Sequence, residues 1–343
     1  MLNLQKPQHL NAGDKVAAVS LSWGAAGVPE IRWRYDLGKR RMEELFGLRV
    51  VEMPHTQAPE DYVSAHPEKR AEDLMAAFAD DSIKAVFNVI GGNDSIRMLP
   101  YIDFEVLRQH PKIFTGYSDG TVTDFLCMKA GIESFYGAHV LNDFGETGQM
   151  SPYTADIIRR MLFSAGTVGK IETSPVYSEH EPSWMDEHGA GRIYEPDFGY
   201  EALQGGKARG TLIGGCFEVF EDIKGTVLFP PLEAFDGSIF FYEVCGTPDA
   251  ETYRTRLRYY GECGVLQLIS GLLMGKPLGG RACYERYNAI TQEVLAEYGR
   301  TDLPVLSNGS FGHNAPSGVI PMGAMAEIDC DNCSFTILES VTR

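Results

Sequence analysis

Five short apolar runs, each followed by a turn or a helix-patterned stretch, occupy residues 15–138 and leave few folds open. They read KVAAVSLS, LRVVEMP, KAVFNVIGG, KIFTGY and ESFYGA. Between them lie residues 29–46, with Ile31, Tyr35, Leu37, Met42 and Leu45 among Arg and Glu, then PEKRAEDLMAAFADD, MLPYIDFEVLRQHP as a short helix, and TVTDFLCMKAG with Gly131 as its stop. Strands alternating with helices predict a parallel sheet covered on both faces, because each helical crossover returns the chain in the same direction.

The pattern changes near residue 151. SPYTADIIRRMLFSAG reads as one more helix, and residues 170–206 follow with no clean period, rich in Pro, Glu, Gly and aromatics. A long irregular stretch inside a compact protein is usually a functional loop or linker. Strand-like runs then dominate: RGTLIGGC, GSIFFYEVCG, VLQLISGLLMG, LPVLSNGSFG, MAEIDC and SFTILES, with helices at DAETYRTRLRYYGE and RYNAITQEVLAEYG. The expected fold is α/β: a flavodoxin- or Rossmann-like parallel-sheet domain over residues 1–165, a linker and substrate loop over 166–206, and a β-rich α+β domain over 207–343.

Composition narrows the partners. Thirty Lys and Arg against 47 Asp and Glu give a net charge of −17, which argues against a nucleic acid polymer or an anionic membrane. The first twenty residues lack the order of a secretory signal, and no run is long enough to span a bilayer, so a cytoplasmic protein is expected. Seven scattered cysteines suit reduced thiols. Cys330 and Cys333 form a C-x-x-C without a second pair at zinc spacing, and read as a turn joining two terminal strands.

PKIFTGYSDGTVT carries the chemistry. Gly116-Tyr117-Ser118-Asp119-Gly120 fits G-x-S-x-G, the sharp strand-to-helix turn that exposes a serine hydroxyl. The same residues also fit an ordinary turn in which Ser118 or Asp119 caps the next helix. A nucleophilic serine needs a base, and the base an orienting carboxylate. Of eight histidines, His139 follows a strand and could line a cleft, while His313 sits in GSFGHNAPSG, a tight glycine-rich loop after LPVLSN, and is the better base. Glu243 is the only charge in GSIFFYEVCG; buried there, it needs a partner or a cleft. An exposed carboxylate or a structural ion pair remains open for it. Ser118, Glu243 and His313 would form a triad drawn from both domains, with an oxyanion hole from the Asp119 amide and the Gly91-Gly92 segment.

In order, AGDKVAAVS, GGNDSIRMLPYIDF, PKIFTGYSDGT, FYGAH, GTLIGG, FFYEV and GHNAPSGVIPMGAMAEID resemble the LD-carboxypeptidase family of serine peptidases, and within it the microcin C immunity branch. The resemblance implies a Ser-Glu-His triad on Ser118, Glu243 and His313, a homodimer, and neither metal nor cofactor. Ordinary members trim D-alanine from peptidoglycan tetrapeptides. The immunity branch cleaves the amide joining an aminoacyl group to a nucleotide-like moiety. SEHEPSWMDEHGAG looks like that branch's loop, with Trp184 placed to stack on a nucleobase, or else to pack as local core. Asn93-Asp94 after the glycine pair also fits the branch, and Asn93 is counted with Trp184 and Cys216 as substrate-binding. Two departures stand out: Cys216 follows Gly214-Gly215 where relatives read GGN, and Val-Cys-Gly-Thr follows Glu243 where relatives often carry another charge. A peptidoglycan LD-carboxypeptidase, an α/β-hydrolase esterase and a non-catalytic small-molecule binder are the competing readings.

Overall fold

The computed structural model describes residues 4–343. The five runs form a parallel sheet in the order Arg49–Glu52, Lys15–Val19, Ile83–Asn88, Ile113–Gly116, Ser134–Tyr136. Helices Arg32–Phe46, Pro67–Ala79 and Gly120–Ala130 lie among the crossovers. A sixth strand, Ile320–Met322, pairs antiparallel with Ser134–Tyr136, Ile320 opposite Tyr136. It comes from the far end of the chain, so the segment just after His313 is built into the edge of the first sheet.

The second sheet has eight strands, ordered Gly169–Ile171, Ser334–Ile337, Met325–Asp329, Lys207–Cys216, Ile239–Glu243, Gly271–Gly275, Val305–Gly309, Glu201–Gln204. Its four central strands, Lys207–Cys216 through Val305–Gly309, run parallel, and antiparallel strands close both sides. Helices Ala250–Glu262 and Gly280–Glu297 are joined by a bidentate Arg258–Glu297 pair at 2.7 and 2.8 Å. The domain is α/β and β-rich, and its parallel centre follows from helices separating consecutive strands.

Two elements differ from the sequence expectation. MLPYIDFEVLRQHP is broken: a 3-10 helix, Ser95–Tyr101, contains Pro100, and a separate helix, Phe104–Gln109, starts at the Asp103 cap, whose side chain accepts from the Glu105 N–H at 2.9 Å. Proline cannot donate within a helix and Asp103 starts a new one. VLQLISGLLMG is helical at Val265–Leu268 before the strand begins at Gly271. A short buried apolar run has no period to separate the two forms.

Helix Gly120–Ala130 is buried on almost every side, with only Lys129 exposed. Its Phe125 meets Phe220 of the second domain edge-on at 5.4 Å. Carboxyl ends of parallel strands from both sheets, at Gly116 and at Cys216 and Glu243, meet beside this helix, where open α/β sheets generally form clefts.

Candidate active site

Ser118 has φ +57°, a left-handed conformation rare for a residue with a β-carbon. Such strain persists only where the surroundings enforce it, and here they do. The Tyr117 N–H donates to His139 Nε2 at 3.0 Å, the Ser118 N–H to the Tyr136 hydroxyl at 3.3 Å, and Thr121 Oγ1 donates to the Ser118 carbonyl at 2.7 Å. The Cys216 N–H in turn donates to Thr121 Oγ1 at 3.0 Å, tying the turn to the second sheet.

The Ser118 hydroxyl lies 3.0 Å from His313 Nε2. His313 Nδ1 lies 2.9 and 3.0 Å from the two Glu243 oxygens, and its backbone N–H donates to Glu243 Oε2 at 3.4 Å. Glu243 is fully buried. Its Oε1 also accepts from the Tyr136 hydroxyl at 2.5 Å. Burial drives the Glu243 carboxyl up, but the His313 charge and the hydrogen bonds from His313 and Tyr136 outweigh it and hold the group below its ordinary value. Burial pushes His313 down, yet the Glu243 charge, helped by the Cys245 thiol, leaves it well above the ordinary imidazole value. Burial, then the Glu243 charge, keeps Tyr136 protonated and therefore a donor. The triad predicted from sequence is thus brought together as one hydrogen-bonded chain.

Close backbone approach explains two glycines. A β-carbon on Gly312, at φ +92°, would sit 2.2 Å from Glu243 Cγ. One on Gly91 would sit 2.9 Å from Ser118 Oγ and 3.3 Å from the Asp119 nitrogen. Gly91 therefore lies directly against the serine hydroxyl and the Asp119 amide. Asp119 does not cap the elbow helix with its side chain. Its Oδ2 instead accepts the Asp94 and Ser95 N–H groups at 3.0 and 2.9 Å, fastening the Gly91–Asp94 turn to the elbow.

A cavity of about 130 Å³ lies against His313, lined also by Tyr117, Asn142, Glu146 and Arg192. Arg192 reaches it from the loop predicted to bind substrate and pairs with buried Glu146, which also pairs with Arg34 at 2.9 Å. The other expected contacts lie elsewhere. Asn93 lines a neighbouring cavity of about 500 Å³ with Ser22, Trp23 and Asp94. Cys216 is buried beside Glu243, its partner in the sheet register. Trp184 packs on Trp23, ring centroids 5.6 Å apart, carries the Arg34 guanidinium 4.8 Å from its centroid, and donates to Glu181 Oε1 at 2.8 Å. His139 does not line the cleft: it is fully buried, stacked on Tyr117 at 4.1 Å, and burial with the nearby His313 charge lowers it to about 3. It is a neutral acceptor holding the elbow from behind.

Sequence reasoning passed over Tyr136, Thr121, Arg192 and Glu146. Tyr136 lies within FYGAH, but nothing local marks its hydroxyl as the link between the elbow and Glu243.

The LD-carboxypeptidase N-terminal domain matches residues 16–137, and the LD-carboxypeptidase C-terminal domain matches residues 209–328. A solved MccF-like protein from Streptococcus pneumoniae, in complex with AMP, is 30% identical, with 96% of this chain and 99% of that one covered and a TM-score of 0.86. The chain belongs to the LD-carboxypeptidase family. Within the family, the "Probable murein peptide carboxypeptidase" of Bacillus subtilis is 29% identical, covering 94% of this chain and 91% of the relative. The microcin C7 self-immunity protein MccF of Escherichia coli is 27% identical, covering 85% of each. Family membership makes a carboxypeptidase-type hydrolase the relevant chemistry. Ser118 falls in the first matched domain and Glu243 and His313 in the second. No helix among the described residues is long and apolar enough to cross a membrane.

Proposed function

We propose that the chain is a serine amidase of the microcin C immunity type, hydrolysing the amide between an aminoacyl group and a nucleotide-like moiety. The observation that carries the chemistry is the continuous chain from Ser118 Oγ through His313, which lines the cavity, to buried Glu243. Ser118 Oγ attacks the acyl carbonyl while His313 Nε2 takes its proton. Glu243 accepts a hydrogen bond from Nδ1–H and stays ionised, fixing the tautomer and balancing the imidazolium. The amides of Asp119 and the Gly91-Gly92 segment stabilise the tetrahedral oxyanion. His313 then gives its proton to the leaving nitrogen, and water clears the acyl-serine by the same route. No cofactor takes part in this reading. A cytoplasmic homodimer belongs to it as well.

The nucleotide-like leaving group rests on the similarity to the AMP-bound relative. One observation favours a second substrate. Trp184 already makes the contacts of a packing residue, with Trp23 and Arg34 on its ring. If it stays so engaged, it offers a base little, and peptidoglycan LD-tetrapeptide trimming becomes the reading. Incubation with a panel of aminoacyl-sulfamoyl adenosines and LD-tetrapeptides, read by mass spectrometry, decides between them. Cleavage of only the tetrapeptides would reject the nucleotide proposal. Cleavage of neither, or undiminished cleavage by Ser118→Ala, would reject the triad proposal.

A further inference from the structure

A thiol, Cys216, stands where the family resemblance expects an amide, and it lies beside the acid and the base. Cys216 closes strand Lys207–Cys216 directly beside Glu243 in the parallel register. Its Sγ, a Glu243 oxygen and a His313 ring nitrogen all lie within 4.8 Å of one another. Cys245 lies two residues beyond Glu243. Glu218 gathers the pair. Its Oε2 accepts the Cys245 N–H at 2.9 Å and lies 3.6 Å from Cys216 Sγ, while Arg256 holds its other oxygen at 3.0 Å.

We propose that Cys216, Glu243 and His313 form a binding site for a thiophilic divalent cation of the zinc class, and that occupancy switches the hydrolase off. The donor set is one sulfur, one nitrogen and one oxygen, ligand types that zinc takes, with a fourth tetrahedral position left for water. Ligands around such an ion stand roughly 3.3–3.8 Å apart, given metal–ligand bonds of about 2.0–2.3 Å. The His313–Glu243 contact at 2.9 Å has to open slightly, and the Cys216 sulfur, within 4.8 Å of both, has to close in by at most about 1.5 Å. Entry is through the cavity that His313 lines. As the ion enters, the Cys216 thiol becomes a thiolate and releases its proton to solvent.

Inhibition follows from the imidazole's two nitrogens. An ion on Nδ1 replaces Glu243 there and leaves the ring proton on Nε2, which faces Ser118 with a proton where a lone pair is needed. An ion on Nε2 takes that lone pair itself. The inhibitory half of this proposal rests on the serine-hydrolase reading above; the binding half does not.

The test uses the full chain under nitrogen with a phosphine reductant. Zinc is titrated in competition with a chromophoric chelator, and cobalt(II) is titrated for its spectrum. One zinc should bind per chain, and cobalt should give a thiolate charge-transfer band. Cys216→Ser should weaken zinc binding at least about tenfold, in line with the loss of a metal-site contact, and should lose the band. With the substrate found by mass spectrometry, zinc should slow the parent at least about tenfold and EDTA should restore it, while the ratio of rates without and with zinc falls toward one in Cys216→Ser. Thermal melts check that the variant is folded. Zinc binding undiminished in folded Cys216→Ser, or a parent cobalt spectrum without the thiolate band, overturns the site. Loss of free thiols that EDTA does not reverse overturns it in favour of oxidation. If no substrate is cleaved at all, the hydrolase reading fails while the titrations still decide the site.

Discussion

Replacing Glu243 by glutamine keeps the side chain's size, removes its charge and exchanges one acceptor for a donor. In the native arrangement every group aimed at the carboxylate is a donor: the Tyr136 hydroxyl at Oε1, the His313 backbone N–H at Oε2, and His313 Nδ1 at both. A glutamine –NH₂ in either position meets one of them donor to donor. The arrangement that relieves the clash makes Nδ1 an acceptor, which moves the ring proton to Nε2, opposite Ser118 Oγ at 3.0 Å. A base in that tautomer cannot accept the serine proton. Amidation of the acid in a comparable triad lowers kcat about 10⁴-fold, so kcat/KM should fall by roughly 10²–10⁴, less than for His313→Ala. The pH dependence separates this from simple damage. Neutral imidazole is the active form, so parent activity should rise with pH through a limb whose midpoint lies above the ordinary His value, since the Glu243 charge outweighs burial. Without that charge, burial dominates and the limb moves to lower pH. The ratio of parent to variant activity should therefore shrink as pH falls. The assay is kcat/KM from about pH 5 to 9 on the substrate identified by mass spectrometry, over a range where both proteins stay folded. A variant limb at the parent's midpoint or higher, or near-parent activity at neutral pH, would refute the reasoning.

Ser118→Ala should cost about 10⁴-fold or more in turnover while leaving substrate binding measurable by calorimetry; near-normal kcat would remove Ser118 from the mechanism. Tyr136→Phe deletes a hydrogen bond to a buried carboxylate, worth about 1.5–3 kcal/mol, and should lower kcat/KM about tenfold or more with a shifted pH limb; an unchanged rate and limb would make the contact structural. Gly312→Ala places a β-carbon 2.2 Å from Glu243 Cγ at φ +92° and should reduce activity more than it reduces melting temperature; full activity would contradict the close approach. Trp184→Ala should weaken cleavage of an aminoacyl-nucleotide by about five- to 150-fold, the equivalent of about 1–3 kcal/mol of stacking, and leave any peptide activity nearly intact. Equal losses on both with a lower melting temperature would assign Trp184 to packing and favour tetrapeptide trimming.

What the sequence determined by itself was written in local pattern. The alternation of apolar runs with helical periods required the parallel first sheet, because neighbouring residues settle their own periodicity. Glycines flanking Ser118 announced a turn that the backbone takes at φ +57°. A lone carboxylate in IFFYE had to meet a partner, and a glycine-rich loop around His313 could supply one. The tertiary structure decided what lies far apart in the chain. Asp119 looked like a cap for its own helix, but caps the turn at Ser95 instead. Tyr136 joins the elbow to Glu243 across 107 residues, and Thr121 reaches Cys216 across 95. Trp184 meets Trp23 only after the long loop has folded back on the first domain. Neither their identities nor their local spacing encodes these meetings. Hydrogen bonds and ring contacts act over a few ångströms, and which groups come within that reach is set by how the two sheets bring the carboxyl ends of their parallel strands together.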